Sequence, residues 1–285
     1  MGRKMNSGMS GHSPFVNRKY SGGELAFISL FFLFVSFPCG NAAAQATADD
    51  RSQKLANPPA NLTRVPLQNN VDFGAGVNGH GFAYTLNIQP VMPLELTEDW
   101  NLITRTIIPI GYRDYLPGAD VSGLGDVNAS FFFSPKGPGP GGLIWGAGPV
   151  ALLPTATDDF LGAGIFGLGS TAVGLVQQGP WTVGALANHI WSIAGPNDRP
   201  DVSVNLLPPF ASHNFGGGRS VSLSVDANHD GNNEQRIVPV NFGVSQIFTL
   251  GFQAMSSQIG GRYYAGVPSD SPEWGRTTLA FLFPK

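Results

Sequence analysis

SVSLSVDAN, residues Ser220–Asn228, sets Val221, Leu223, Val225 and Ala227 against Ser220, Ser222, Ser224 and Asp226. Strict alternation at 180° per residue is the signature of a strand with one apolar and one polar face. FAYTLNIQ (82–89) repeats it, with Phe82, Tyr84, Leu86 and Ile88 opposed to Ala83, Thr85, Asn87 and Gln89. Working outward from these two stretches, twelve such segments are expected, at about 71–78, 82–92, 100–112, 123–134, 142–153, 164–177, 180–193, 201–212, 219–228, 236–249, 253–265 and 274–283. Soluble strands usually run about 5–6 residues, whereas a tilted membrane-spanning strand needs about 9–11. The lengths therefore favour a membrane barrel over a soluble sandwich.

The connections sort into two classes. Those after even-numbered segments are mostly tight: GPGPGG, the join at Gln178-Gly179-Pro180, NFGGG and LGF. Those after odd-numbered segments are longer and polar: RDYLPGADVSG, PTATDDFLGAG, AGPNDRP, HDGNNEQ and GVPSDSPE. VNGHG is short for its class and PLELTED is not tight. Alternating short turns and long loops belong to an outer-membrane barrel with both termini in the periplasm. Within a strand the faces agree. Val238, Val240, Phe242, Val244 and Phe248 share one side, and Asn241, Gly243 and Ser245 the other. Trp100, Tyr112, Trp145, Trp181, Trp191, Tyr263 and Trp274 fall near segment ends, where interfacial girdles stand. No segment reads as an amphipathic helix.

Composition points the same way. Only 12% of residues are charged and 42% are hydrophobic, with 38 glycines and 23 prolines. That is about half the charge of an ordinary soluble domain, and too apolar for disorder. Arg18 and Lys19, then the apolar run Leu25–Phe37, then the small residues Asn41–Ala46 follow the order of a secretory signal peptide. The run is shorter than the roughly 20 residues a spanning helix needs. Cleavage after Ala44 or Ala46 is expected. The divisions are thus a signal peptide (1–44), a periplasmic leader (45–69) and the barrel (70–285). Cys39 is the only cysteine, and Pro38 before it argues against a lipid-anchored cysteine. Without residues 1–44 the chain keeps twelve Lys/Arg and eighteen Asp/Glu, and no basic patch. Nucleic acid is therefore not an expected partner.

NNVDFGAG (69–76), LNIQPVMPLEL (86–96), DWNLITRTIIPI (99–110), GLGDVNASFFFSP (123–135), WGAGPVALLPTATDD (145–159), GPWTVGALANHIWSIAG (179–195), GGRYYA (260–265) and the ending FLFPK together carry a family resemblance. The chain resembles the proteobacterial outer-membrane proteins related to the phenol meta-pathway MetA family, often labelled only "transporter". That resemblance implies an outer-membrane barrel that takes up small hydrophobic or aromatic compounds. It carries over no catalytic or binding residues. The tail departs from most outer-membrane proteins, because Pro284-Lys285 follows the terminal aromatic Phe283.

Candidate chemistry is sparse. His189 and Ser192 lie three apart, so on a strand they point to opposite faces and cannot act as nucleophile and base. GAGIFG (162–167) matches a dinucleotide motif, but a β-like stretch follows it rather than the helix the motif requires. A charge on the lipid side costs about 2–4 kcal/mol at the midplane. Arg105, Asp126, Asn128, Asn241, Arg262 and Arg276 are therefore expected to face the lumen, where they either pair and plug it or select solutes. Ile103 and Ile107 would face inward as well. DANHDGNNE (226–234) places Asp226, Asn228, Asp230 and Glu234 at a spacing that begins like a calcium loop. Its twelfth position is Ile237, with strands rather than helices on both sides, so it lacks the bidentate ligand that gives tight binding. No metal or cofactor is expected. The chain reads as a twelve-stranded, antiparallel, up-and-down outer-membrane β-barrel acting as a passive pore. The alternatives are a closed structural or surface-interaction barrel and, less favoured, a barrel hydrolase. Expected partners are outer-membrane lipid, a small-molecule solute and, during biogenesis, the barrel-assembly machinery.

Overall fold

The computed structural model describes residues 42–57, 62–75, 80–116, 119–196, 199, 202–230, 235–265 and 276–283. The apolar run of the expected signal peptide, Cys39, Glu234, Trp274 and Pro284-Lys285 lie outside the described residues. Seventeen strand segments form one sheet. Five of their boundaries are interruptions of one or two residues, at Gln89-Pro90, Gly125-Asp126, Pro208, Asp226 and Val238. At each one the neighbouring strand stays hydrogen-bonded: Gln89 N–H to Pro66 O, Gly125 N–H to Pro109 O, Leu186 N–H to Pro208 O, Asp226 N–H to Pro239 O and Ala265 N–H to Val238 O. A proline or a bulge breaks the ladder locally without ending the strand.

Twelve strands result, following a helix α1 (Ala42–Ala56). They are β1 (Thr63–Ala75), β2 (Gly81–Ile88 and Val91–Glu95), β3 (Trp100–Arg113) and β4 (Val121–Leu124 and Val127–Pro135). Then come β5 (Leu143–Leu153), β6 (Phe166–Gln178), β7 (Trp181–Ala194) and β8 (Ser203–Leu207 and Pro209–Gly216). The last four are β9 (Arg219–Val225 and Ala227–Asp230), β10 (Gln235–Ile237 and Pro239–Leu250), β11 (Gln253–Tyr264) and β12 (Arg276–Phe283). Each strand pairs antiparallel with the next, and β12 closes on β1 from Thr63 opposite Phe283 to Asn70 opposite Arg276. Closure leaves no free edge, which a sheet in lipid requires.

Three expectations need correction. The first strand begins at Thr63 rather than near 71, so the barrel wall takes up the end of the stretch read as a leader. A helix is also present, Ala42–Ala56, where none was read. The connection after β2 is tight after all: Leu96 and Thr97 N–H both bond Trp100 O, and Thr97 Oγ1 accepts from the N–H of Asp99 and Trp100.

The outer face is apolar. Phe131, Phe133, Leu168, Val183, Leu223, Phe242, Val244 and Ile259 are all exposed. A patch this continuous on a monomer is covered by lipid, not water. Trp100, Trp145 and Trp181 ring the short-turn end, with Trp100 and Trp145 packed edge-on at 5.9 Å. Tyr112, Trp191 and Tyr263 ring the long-loop end, together with the tilted pair Phe73 and Phe82 at 5.4 Å. Trp100 and Tyr112 bound one strand, β3. At about 3.3 Å per residue and a tilt of about 35–45°, their separation spans roughly 28–32 Å of bilayer.

Candidate functional site

Strand register fixes what faces inward. Asn241 is opposite Ser224 and Arg262, Arg262's face continues to Gly260 and Gln258, and Gly260 is opposite Arg276. Through β12 the same face reaches Gln68 and Asn70 on β1, then Asn87 and Thr85 on β2. Val91 is opposite Arg105, which is opposite Ser130. Arg105, Asn128, Asn241, Arg262 and Arg276 share this register. Ile103 and Ile107 share the face. The side chain of Arg276 lies outside the described residues.

These positions build a continuous polar ladder. Asn241 Nδ2 donates to Asp226 Oδ2 at 2.9 Å, and Arg262 Nε donates to Asn241 Oδ1 at 2.9 Å. Arg262 also reaches Asn70 Oδ1 and the Tyr264 hydroxyl, each at 3.3 Å, and stands 3.9 Å from the Asp226 carboxylate. Tyr264 passes the chain on to Asp72 at 3.2 Å. From Asn70 the ladder continues through Gln68 (3.0 Å) and Gln89 (3.1 Å) to Arg105, whose Nη2 donates to Gln89 Oε1 at 2.9 Å. Gln68, Asn70, Asp72, Gln89 and Asn241 are all buried. Buried polar groups have to be bonded, and in low dielectric their bonds reinforce one another.

Adjoining this polar arc at β2 and β3 is an apolar one. Val91, Ile103, Phe132, Val173 and Leu186 pack into a single buried cluster, with Val150, Leu175 and Ile190 also buried on the same inward register.

Asp126 does not join the ladder. Its carboxylate accepts from the N–H of Ala156 (3.1 Å) and of Gly164 (3.0 Å), pinning the loop between β5 and β6. That loop turns inward: an added Cβ on Gly111 would stand 3.1 Å from a Leu161 methyl, and one on Gly123 3.3 Å. Asp126 therefore shapes the long-loop mouth. GAGIFG runs through this loop into β6, a strand. Arg199, from the next long loop, pairs with Asp159.

At the other mouth α1 lies against the inner wall. Ala48 and Leu55 pack on Leu62, Ile247 and Ala254. Asp49 Oδ1 accepts from Gly218 N–H at 2.9 Å, and Gln53 exchanges bonds with Gly179 O and Gln177. Arg64 donates to the carbonyls of Lys54 and Leu55 at 3.3 and 2.7 Å, where a cation complements a helix C-terminus.

The calcium-like stretch is dispersed. Asp226 is committed to Asn241, while Asn228 and Asp230 lie within β9, opposite Ile237 and Gln235. His189 packs on Trp191 at 5.1 Å and meets Asn205 Oδ1 at 2.6 Å on the outer face, while Ser192 has the inward register. The ladder members missed in the sequence are Gln68, Asn70, Asp72, Gln89 and Tyr264. Their signal was present as Arg64-x-Pro66-x-Gln68-x-Asn70-x-Asp72, a period of two running into the assumed leader.

No family model matches the chain, and no curated protein matches it. Among solved structures the chain is similar to the COG4313 outer membrane channel from Pseudomonas putida F1. That match has a TM-score of 0.56 and 16% identity, over 78% of this chain and 93% of that one. It superposes less well on the β domain of the Bordetella autotransporter BrkA, with a TM-score of 0.45 and 11% identity over 79% of this chain and 99% of that one. The first likeness shows the fold: a transmembrane, antiparallel, up-and-down β-barrel of outer-membrane type.

Proposed function

We propose that the chain is an outer-membrane channel for passive passage of small solutes, exported by a signal peptide that is removed and inserted by the barrel-assembly machinery. The observation that carries this is the two-sided interior. A closed barrel with an apolar jacket holds a ladder from Asp226 to Arg105 along one arc and the Ile103–Phe132–Leu186 cluster along the other. Such a lumen suits molecules with both a polar and an apolar side, including small aromatic compounds, and it selects by width and by inward charge. The likeness to a solved outer membrane channel supports the reading. The reading includes no covalent step, and the opposite registers of His189 and Ser192 speak against a hydrolase built on that pair.

A closed structural barrel is the second reading, favoured by α1 at one mouth and the inward loop at the other. Conductance of the refolded protein in planar bilayers separates the two. Discrete, ladder-dependent conductance steps support the channel. Silence together with no solute flux in liposomes supports the closed barrel.

A further inference from the structure

The polar ladder is unevenly charged. At one end its cation is answered, because Arg262 bonds Asn241 and stands 3.9 Å from the Asp226 carboxylate. Asn70, Gln68 and Gln89, all neutral amides, then carry the ladder to Arg105. Arg105 Nη2 donates to Gln89 Oε1 at 2.9 Å, and no other hydrogen bond holds its guanidinium among the described residues. None of the ion pairs among those residues includes Arg105. A second cation stands beside it. Arg64 on β1 and Arg105 on β3 both lie opposite Val91, on the inward face. Two strand spacings separate their backbones by about 10 Å, and the two charges act on each other.

The two arginines differ in what they offer. Arg64 is buried, and its Nη1 caps α1 on the carbonyls of Lys54 and Leu55. It supplies a fixed positive field rather than free donors. Arg105 is only half-buried. The buried side-chain atoms left without a partner among the described residues belong to Ser52, Asn57, Asn101 and His213. The unbonded N–H groups of Arg105 are not among them, so they open on lumen space. A cation in a low-dielectric lumen, backed by a second cation and held by one neutral amide, favours an anion. The planar guanidinium fork fits a carboxylate through two parallel bonds. Ile107, the next inward residue on β3, is half-buried as well and sets an apolar side chain beside the cation.

We infer that Arg105 is a carboxylate-binding site within the lumen, selecting small monocarboxylates with an apolar or aromatic body, with Arg64 as the second positive charge behind it. The inference rests on the channel reading for its purpose, and it narrows the solute of that reading to an organic anion. Binding at the site does not itself require conduction.

The test is isothermal titration of benzoate into the full, refolded protein in micelles of an uncharged detergent. Saturable binding is expected. Benzamide, of the same shape but neutral, should bind about tenfold more weakly, the low end for a bond to a charged group. Arg105→Gln and Arg105→Met should each weaken benzoate binding by about the same factor. Heat-modifiable gel migration verifies that the variants are folded, and the benzamide comparison on the unaltered protein decides even where a variant misfolds. Absence of saturable benzoate binding would assign the free donors of Arg105 to water and overturn the inference. Equal binding of benzamide, or full benzoate affinity in a folded variant, would overturn it too. A protein that conducts but does not bind benzoate keeps the channel and loses the site. One that binds benzoate through Arg105 but does not conduct keeps the site and loses the channel.

Discussion

Arg262 and Asn241 face each other across β10 and β11, and the guanidinium Nε donates to the amide oxygen at 2.9 Å. The same Asn241 holds Asp226, and the same Arg262 holds Asn70 on β1, so this pair joins the last strands of the barrel to the first. Arg262→Ala removes three donated bonds and the cation 3.9 Å from Asp226. A loss of about 2 kcal/mol is expected, in the range for bonds to a charged group, measured by urea unfolding in vesicles. The lumen also becomes more negative. Reversal potentials under a salt gradient should shift towards cation selectivity, and an unchanged potential would show that the ladder only staples the wall.

Close approach at two inward glycines should separate in cost. Gln258 Nε2 reaches across Gly243 to bond Ser222 Oγ at 2.8 Å, and an added Cβ would stand 2.6 Å from that nitrogen. A flexible amide can swing away, so Gly243→Ala should cost about 1 kcal/mol, the lost bond. At Gly184 an added Cβ would meet Leu175 Cβ at 2.5 Å, the Gly174 carbonyl at 2.6 Å and the Phe210 ring at 2.9 Å. Backbone cannot step aside cheaply, so Gly184→Ala should cost about 1–3 kcal/mol as overpacking. Unfolding of the two variants side by side checks the order.

Most of the barrel was legible because lipid on one side and a packed lumen on the other impose a period of two. β9 displays it cleanly from Ser220 to Ala227. β1 was read late because its outward face carries Asn69 between Leu67 and Val71, a polar break that the Tyr84 hydroxyl satisfies at 2.6 Å. That partner lies on another strand and leaves no local signal. The helix α1 was illegible for a related reason. AAAQATADDRSQKLA has no apolar stripe, and it is held mainly by Asp49, Gln53 and Arg64 through polar contacts with distant turns. For the ladder, the cost of a charge in lipid argued for an inward direction at Arg105, Asn241 and Arg262, but which of them meet depends on register and closure. Asp126 shows the limit, since the same inward argument applied and its partners proved to be loop amides.

The membrane assignment has its own test on β10. Phe242 is outward and 54% exposed, and its neighbour Asn241 is inward and buried. Phe242→Arg places a charge in the apolar band and should lower stability in vesicles by about 2–4 kcal/mol, the midplane cost. The same variant in detergent, where the jacket is adaptable, should lose less. Equal loss in both media would mean that Phe242 is not buried in hydrocarbon.

At the long-loop mouth the Asp126 carboxylate is the pin: it accepts from Ala156 and Gly164 N–H across the loop joining β5 and β6. Thr155 reinforces it, donating to Gly125 O at 2.8 Å and accepting from Val127 N–H at 3.0 Å. Asp126→Ala leaves two amides unpaired, so the loop should release while the barrel wall, bonded strand to strand, stays closed. Protease treatment of the refolded protein should then cut within residues 154–165 in the variant and spare the parent. Heat-modifiable migration should be unchanged in both. Because Leu161 rests on the inward face at Gly111 and Gly123, release should also widen the mouth and raise conductance. Cleavage without a rise in conductance would place the narrowest point elsewhere, with α1 and its contacts to Gly179 and Gly218 as the remaining barrier.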